Sequence, residues 1–556
     1  MRASIAAVFA LSIGTFAIPS SRRNHSTPTA RVQNGTYEGV YSPEYDQDFF
    51  LGVPFTQSPV GDLRFRLPQS LNSTWEGTKD AKEYSPLCVG YGLDQTFYSQ
   101  SEDCLYLNVI RPAGYEQEKL PVAFWIHGGG FANGGGGDQR YNLSFIVKQS
   151  VNIGKPIIGV SINYRLSFWG FLHSNEVVGE GITNLGLRDQ RLALHWVQEN
   201  IAAFGGDPRK VTIFGESAGG ASVGFHLTAY GGRDDNLFRA AILQSGNPIY
   251  YGAQNGTQRS QPYFESIVSK VGCDTAWDRI QCLRDVPFLT LNATMNASME
   301  SSTFGPTIDG DFIRTYGSKQ LRNGQFVKVP IITGANSDEG ASFSPTGINT
   351  TQDFKDTLSN ILPSSFQDAI LDAYPDDLSV NVIASLGDQR PAQPYGPQYR
   401  RSASFWGDYY FIASRREAAK TWAEHGVSAY AYRFNAIPAG VPPEVGVGHY
   451  KEIGFMFNNI EGVGFRPDIL PFAGKGRNYI DLAEFMSSSW ISFVHDLDPN
   501  GVEGRDDSIP LWPKYEVDDP EDFVFDANVT SFVERDTYRA EGIRLINENA
   551  QGVLHR

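Results

Sequence analysis

Long apolar runs are scarce in this chain of 556 residues. Only residues 5–17 form one, and it is too short to cross a bilayer, so a stable membrane anchor is not expected. Cysteine is rare, with four residues, and no Cys or His cluster has the spacing of metal ligands, so no cofactor is expected. The glycine run at 134–137 is not followed by Lys-Ser/Thr and therefore fails as a phosphate loop. Positive charge is in deficit: 46 Lys and Arg face 62 Asp and Glu, for a net charge of −16. Such a chain binds a phosphate backbone poorly, so nucleic acid is not an expected partner. There is no internal repeat, low-complexity tract or interdomain linker. A hydrophobic content of 41% is ordinary for a globular chain with a substantial core, and although the length alone suggests several domains, large single α/β domains break that prior.

The amino end has the form of an export signal. Arg2 supplies a positive start, residues 5–17 are mostly apolar, and Thr15-Phe16-Ala17 offers a cleavage site. The expected organisation is a signal peptide at 1–17, a polar segment at 18–31 and a single domain at 32–556. Two features agree with an extracellular destination. Asn-Xaa-Ser/Thr sequons stand at Asn24, Asn34, Asn72, Asn142, Asn255, Asn292, Asn296, Asn349 and Asn528. The cysteines are even in number, and closing the shortest loops costs least chain entropy, which favours Cys88–Cys104 and Cys273–Cys282.

Short apolar runs bounded by turn residues, at 121–126 and 156–163, read as strands of a parallel sheet buried on both faces. Further strands are expected at 38–41, 49–51, 105–110, 240–243, 327–333 and 427–434. After Asn184 the pattern turns helical, with Leu194, Val197, Ile201 and Phe204 on one face, until Gly205-Gly206 ends it. The alternation predicts a doubly wound α/β sheet. Residues 250–325 read as an insertion over that sheet. Residues 374–402 are not placed by any pattern.

Within this frame Gly215-Glu216-Ser217-Ala218-Gly219 follows the apolar run 211–214 and opens a helical segment. Strand, tight turn and helix is the setting in which Gly-Xaa-Ser-Xaa-Gly becomes a nucleophile elbow, because a side chain at either glycine would collide with the crossing backbone. A serine hydroxyl needs a positioned base. Of the histidines after Ser217, His226, His425 and His495 fall in helical patterns and His555 lies at the end of the sequence. His449, in a glycine-rich loop after a strand, remains. The acid should follow an earlier strand, where Asp338 and Glu339 are adjacent; spacing does not choose between them, and the other is expected to be a solvated loop carboxylate. His127-Gly128-Gly129-Gly130 at a strand end offers backbone donors for an oxyanion, with Ala218 supplying another.

The stretches Glu102-Asp103-Cys104-Leu105-Tyr106-Leu107-Asn108-Val109, 125–131, Asn163-Tyr164-Arg165, 184–208 and 214–224 together resemble the type-B carboxylesterase/lipase family, the cholinesterase-like α/β hydrolases, and its secreted fungal members most. The resemblance implies an α/β-hydrolase fold with helical insertions over the active site. It implies Ser217 as nucleophile, Glu339 as acid and His449 as base, with Gly129, Gly130 and Ala218 as oxyanion donors. It also implies both disulfides, buried pairs Arg64–Glu102 and Arg165–Asp189, and Glu216 and Ser245 in support of the triad. The family's cholinesterases carry a Trp between the first two cysteines. Here that stretch has Tyr91, Phe97 and Tyr98 but no Trp, which speaks against choline esters. The same stretch, 89–103, has 15 residues where the family's lipases have a long lid. The expectation is a secreted carboxylesterase for small to medium soluble esters, losing activity below about pH 6.5 if the imidazole is unperturbed. The rivals are a lipase or sterol esterase for long acyl chains and an inactive adhesion protein of the same lineage.

Overall fold

The structure is a computed structural model that describes residues 27–556, apart from 253, 255, 298–303, 360, 503 and 504. The expected signal peptide and the sequons at Asn24 and Asn255 lie outside the described residues. The last part of the expected polar segment is a strand: Thr29–Arg31 pairs with Thr36–Glu38, because Ala30 and Val32 turn inward while their neighbours face solvent.

The centre is an eleven-stranded sheet. Its strands in chain order are β1 (Val40–Ser42), β2 (Gln47–Pro54), β3 (Tyr106–Pro112), β4 (Leu120–Ile126), β5 (Ile158–Ile162), β6 (Gly206–Glu216), β7 (Ala240–Gln244), β8 (Ile331–Asn336), β9 (Ala429–Phe434), β10 (Glu521–Phe525) and β11 (Phe532–Arg535). In space they run β11-β10-β9-β8-β7-β6-β4-β5-β3-β2-β1. Strands β4 to β10 are mutually parallel, and antiparallel pairs close both edges. Every residue of β4, β5, β7 and β8 is buried, which is why they read as continuous apolar runs rather than as alternating ones.

The sequence reading has no counterpart of β10 and β11, its run 211–214 is only the last part of β6, and two further strands are placed differently. The run 38–41 is split at Gly39 between two sheets, since a Cβ there would lie 2.3 Å from Phe49 O. Strand β8 starts four residues late, after Pro330, which has no N–H for a ladder, and it continues through Gly334. Tyr432 of β9 lays its ring where a side chain at 334 would stand.

One layer of core forms around the helices Leu185–Asn200 and Ala218–Gly232, the other around Arg477–Asp496. No helix of the described residues is long and apolar enough to cross a membrane. Cys88 is joined to Cys104 and Cys273 to Cys282. The second bridge holds the insertion, whose carbonyls at Leu283 and Val286 accept from the Arg64 guanidinium while that group pairs with Glu102 at 2.6 Å. Arg165 makes a bidentate pair with Asp189, at 2.8 and 2.6 Å. Residues 374–402, unplaced by pattern, are organised by Arg400, whose buried guanidinium donates to the carbonyls of Asn381, Gly387 and Gln389.

The far edge of the sheet is fastened electrostatically. Arg415 is 1% exposed and bridges Asp522 of β10 and Asp536 beyond β11, both fully buried, at 2.8 and 2.6 Å. Removing the cation leaves the buried Asp522 without its paired guanidinium, while Asp536 keeps Arg416 at 2.6 Å and the Tyr515 hydroxyl at 3.0 Å. Arg415→Met should therefore cost about 3–5 kcal/mol, read as a lower urea midpoint at unchanged denaturant slope. A midpoint equal to that of the parent chain would show that the edge does not depend on this pair.

Candidate active site

The carboxyl ends of the parallel strands all open on one side of the sheet, where such folds collect their ligands. Strand β6 ends at Glu216, and Ser217 stands between it and the following helix with φ 58° and ψ −121°. No helix or strand occupies that region, and a non-glycine residue held there costs about 1–3 kcal/mol. Its backbone is tied on both sides, N–H to Gln244 O of β7 at 2.9 Å and C=O to Ala221 N at 2.8 Å. The flanking glycines permit the crossing: a Cβ at 219 would lie 2.0 Å from Ile126 O, and one at 215 would lie 2.5 Å from the carbonyl carbon of Gly219.

Two further loops meet this turn. After β8 comes Glu339, fully buried, and after β9 comes His449. His449 Nδ1 lies 2.6 Å from Glu339 Oε2. The other oxygen of Glu339 accepts the Asn336 N–H at 2.7 Å and the Ser245 hydroxyl. Both oxygens thus act as acceptors, which places the ring proton on Nδ1. On the opposite edge Nε2 lies 3.2 Å from Glu216 Oε1, on the residue directly before Ser217. Among the described residues the Ser217 hydroxyl makes no hydrogen bond. It lines the same cleft as the imidazole, and such contacts commonly tighten only when substrate arrives.

Three carboxyl groups therefore crowd one imidazole, because Glu452 is buried too, accepting from Asn336 Nδ2 at 2.8 Å. Burial drives the carboxyls of Glu216 and Glu452 above their ordinary range. For His449 burial acts downward, but the Coulombic pull of Glu216 and then Glu339 exceeds it, and the ring is pushed up to about 9. Nε2 and Glu216 Oε1 face each other across 3.2 Å, so the charge of that carboxyl bears directly on the charge of the ring.

Asp338 is not the solvated carboxylate expected of it. It is 7% exposed, and its Oδ2 accepts the Val447 N–H at 2.8 Å while its own N–H donates to Val447 O at 3.0 Å. It pins the loop that carries His449, and burial pushes its carboxyl up to about 6. The acid loop also supplies Ser342, whose hydroxyl accepts the His449 N–H at 3.1 Å.

Gly129 and Gly130 line the cleft in left-handed conformations, φ 97° and 64°, so they are glycines by backbone need. No acceptor among the described residues takes the N–H of Gly129, Gly130 or Ala218, the last opening the helix behind Ser217. These donors are unspent, as an oxyanion site requires.

The cleft has a volume of about 1070 Å³ and aromatic walls. Phe411 stacks on the His449 ring, 4.5 Å between centroids and 13° from parallel, and Phe343 meets it at 5.0 Å. Phe411 belongs to a π-helical turn, Asp408–Ile412, which also presents Tyr409 and Tyr410 to the cleft. The turn is anchored by Asp408, which accepts from Arg539 at 2.7 Å and from Tyr374 at 2.8 Å. Sequence reasoning missed this wall. Its only signal is the aromatic run Tyr409-Tyr410-Phe411, and π-turns recur at functional sites without a sequence pattern. Of the aromatics between the first two cysteines only Tyr91 faces the cleft. Phe97 is 77% exposed, and Tyr98 donates to Asp138 at 3.3 Å. Among the described residues no group of three or more His, Cys, Asp or Glu could hold a metal ion.

The profile of the carboxylesterase family matches residues 26–542. The chain is 34% identical to lipase 2 of Geotrichum candidum over 89% of its length and 91% of that protein's. It is 34% identical to secreted lipase 1 of Botryotinia fuckeliana (strain B05.10) over 93% of both. The crystal structure of Aspergillus niger EstA superposes with a TM-score of 0.82 at 29% identity, covering 96% of this chain and 99% of that one. Carboxylesterase EST55 of Geobacillus stearothermophilus gives 0.73 at 28%, covering 92% and 98%.

The carboxyl cluster makes a direct prediction about the imidazole. Followed by NMR of isotope-labelled histidine, His449 should titrate well above 6.5, and Glu216→Gln should move its midpoint down by one unit or more. An unmoved midpoint would show that Glu216 does not hold the proton.

Proposed function

The chain belongs to the carboxylesterase family and is a carboxylic-ester hydrolase, and on that premise we propose that Ser217, His449 and Glu339 carry its reaction. The observation that supports this most is the 2.6 Å contact from Glu339 to His449 Nδ1, with His449 and Ser217 lining one cleft and Nε2 3.2 Å from Glu216, the residue directly before Ser217. In this reading Ser217 Oγ attacks the ester carbonyl carbon and Nε2 takes its proton. The carbonyl oxygen, now an anion, receives the N–H groups of Gly129, Gly130 and Ala218. The tetrahedral intermediate collapses as the imidazolium returns the proton to the leaving alcohol. Water then attacks the acyl-enzyme by the same route in reverse. Glu339 orients the ring and stabilises the imidazolium without taking the proton. Each oxyanion donor contributes roughly 2.7–4 kcal/mol.

The preferred substrates are small to medium soluble esters, since the disulfide-closed stretch 89–103 is too short for a long lid and brings only Tyr91 and Asp94 to the cleft. A second reading, hydrolysis of long acyl esters, is favoured by the size of the cleft and by the lipase relatives. We further propose that the protein is secreted and glycosylated. Asn72, Asn296, Asn349 and Asn528 are exposed. Asn142, half-buried, spends its side-chain oxygen on the Ser144 N–H at the start of a helix.

Ser217→Ala should lower hydrolysis of p-nitrophenyl butyrate at least ~10³-fold and abolish labelling by an organophosphate probe. Retention of most parental activity would remove Ser217 from the mechanism. A series of p-nitrophenyl esters, with and without emulsified triglyceride, separates the two substrate readings: a preference for the emulsion favours long chains.

A further inference from the structure

The π-turn Asp408–Ile412 interrupts a helical run, between Tyr399–Gly407 and Ala413–Glu424, and it is held from several sides. The fully buried Asp408 carboxylate accepts two hydrogen bonds from Arg539, each 2.7 Å, and one from the Tyr374 hydroxyl at 2.8 Å. The Arg556 guanidinium, 1% exposed, donates to Tyr409 O at 2.5 Å and lies 4.4 Å from the centre of that ring. Toward the acid loop no side chain intervenes. A Cβ at 340, next to Glu339, would lie 2.2 Å from Gly407 N, and one at 407 would lie 2.9 Å from Gly340 N. The turn and the acid are thus seated backbone to backbone.

This frame delivers Phe411 to the imidazole. The two rings lie 4.5 Å apart and 13° from parallel, so Phe411 covers one face of His449, while Phe343 meets it at 63°. The charged groups that bear on the same ring are Glu216, beside Nε2, Glu339, beside Nδ1, and Glu452. A phenyl face is the negative side of the ring quadrupole. A neutral imidazole stacked on it gains mainly dispersion, whereas an imidazolium gains a cation–π attraction as well, and more so where water is excluded. His449 has a side chain only 12% exposed and Phe411 is 2% exposed, so little solvent screens the contact. The stack therefore favours the state formed when the serine O–H bond breaks and the proton arrives on Nε2.

We propose that Phe411 is a positioning residue for the base, an aromatic plate that holds the imidazole by its face and stabilises it in the charged form that proton removal from Ser217 creates. This rests on the reading of His449 as the base. The π-turn with its Asp408 and Arg556 anchors then serves the reaction by keeping the plate parallel to the ring.

Two replacements in the full chain test this: Phe411→Leu, and pentafluorophenylalanine at position 411, which keeps the shape of the ring and reverses the sign of its face. Both should lower the NMR midpoint of labelled His449 by about half a unit or more. Both should lower kcat on ethyl butyrate at least ~3-fold above that midpoint, with KM within about twofold. The deficit should be smaller below the midpoint, because a less basic ring is deprotonated in a larger share there. Phe411→Tyr, which retains the face, should keep the parent's midpoint. The fluorinated ring fills the same space, so it decides the matter even where Phe411→Leu does not fold. A midpoint within ~0.2 unit of the parent's in the fluorinated chain, or a deficit equal at every pH, would overturn the proposal, since a wall acting by bulk alone gives those results. Parental activity in Ser217→Ala would instead overturn the reading of the reaction, and the midpoint, measured without substrate, stands apart from it.

Discussion

Everything at this site depends on a backbone held where backbone does not rest. Ser217, at φ 58° and ψ −121°, is neither strand nor helix, yet it must join one to the other within a single residue. The cost of about 1–3 kcal/mol is offset by contacts that exist only because two side chains are missing. With no Cβ at 219 the helix descends onto Ile126 O, and with none at 215 the strand passes under the helix's first turn. The pairing of β6 with β4 and β7 then fixes the serine between two parallel neighbours. A looser turn would relieve the strain and lower the hydroxyl from the edge where the other groups converge.

The second constraint is electrostatic. Glu216, Glu339 and Glu452 are all essentially excluded from water, and they surround one imidazole. Burying carboxylates singly would be prohibitive, so each is either hydrogen-bonded or carries a proton. Glu339 is satisfied by Ser245, Asn336 and His449. Glu216 faces Nε2 at 3.2 Å, and burial raises its carboxyl well above the usual range. Asp338 serves the same assembly mechanically, through the Val447 N–H, so adjacent acids in one loop have separate duties.

Much of this was legible. The fully buried strands β4 and β5 showed themselves as apolar runs, since a strand covered on both faces has no polar side to alternate with. Gly215 and Gly219 declared the turn because only glycine fits it. His449 emerged by elimination, which works because helices hide their histidines. Other parts left no trace. Gly334 read as a strand end when it continues β8, its bare Cα being demanded by the Tyr432 ring from the next strand. Asp338 read as a solvent group because burial is not a local property.

The sequence by itself determined the buried central strands, the strand-helix alternation around them, the elbow at 215–219 and the residue types for ester chemistry. Those follow from sterics and periodicity acting over a few neighbouring residues. Only the tertiary structure decided which acid meets the imidazole, that Glu216 lies against its far edge, and that Phe411 shares a cleft with Ser217. These are contacts between segments separated by a hundred residues or more. They are set by the sheet's strand order and the packing of its loops, which no short stretch of sequence encodes.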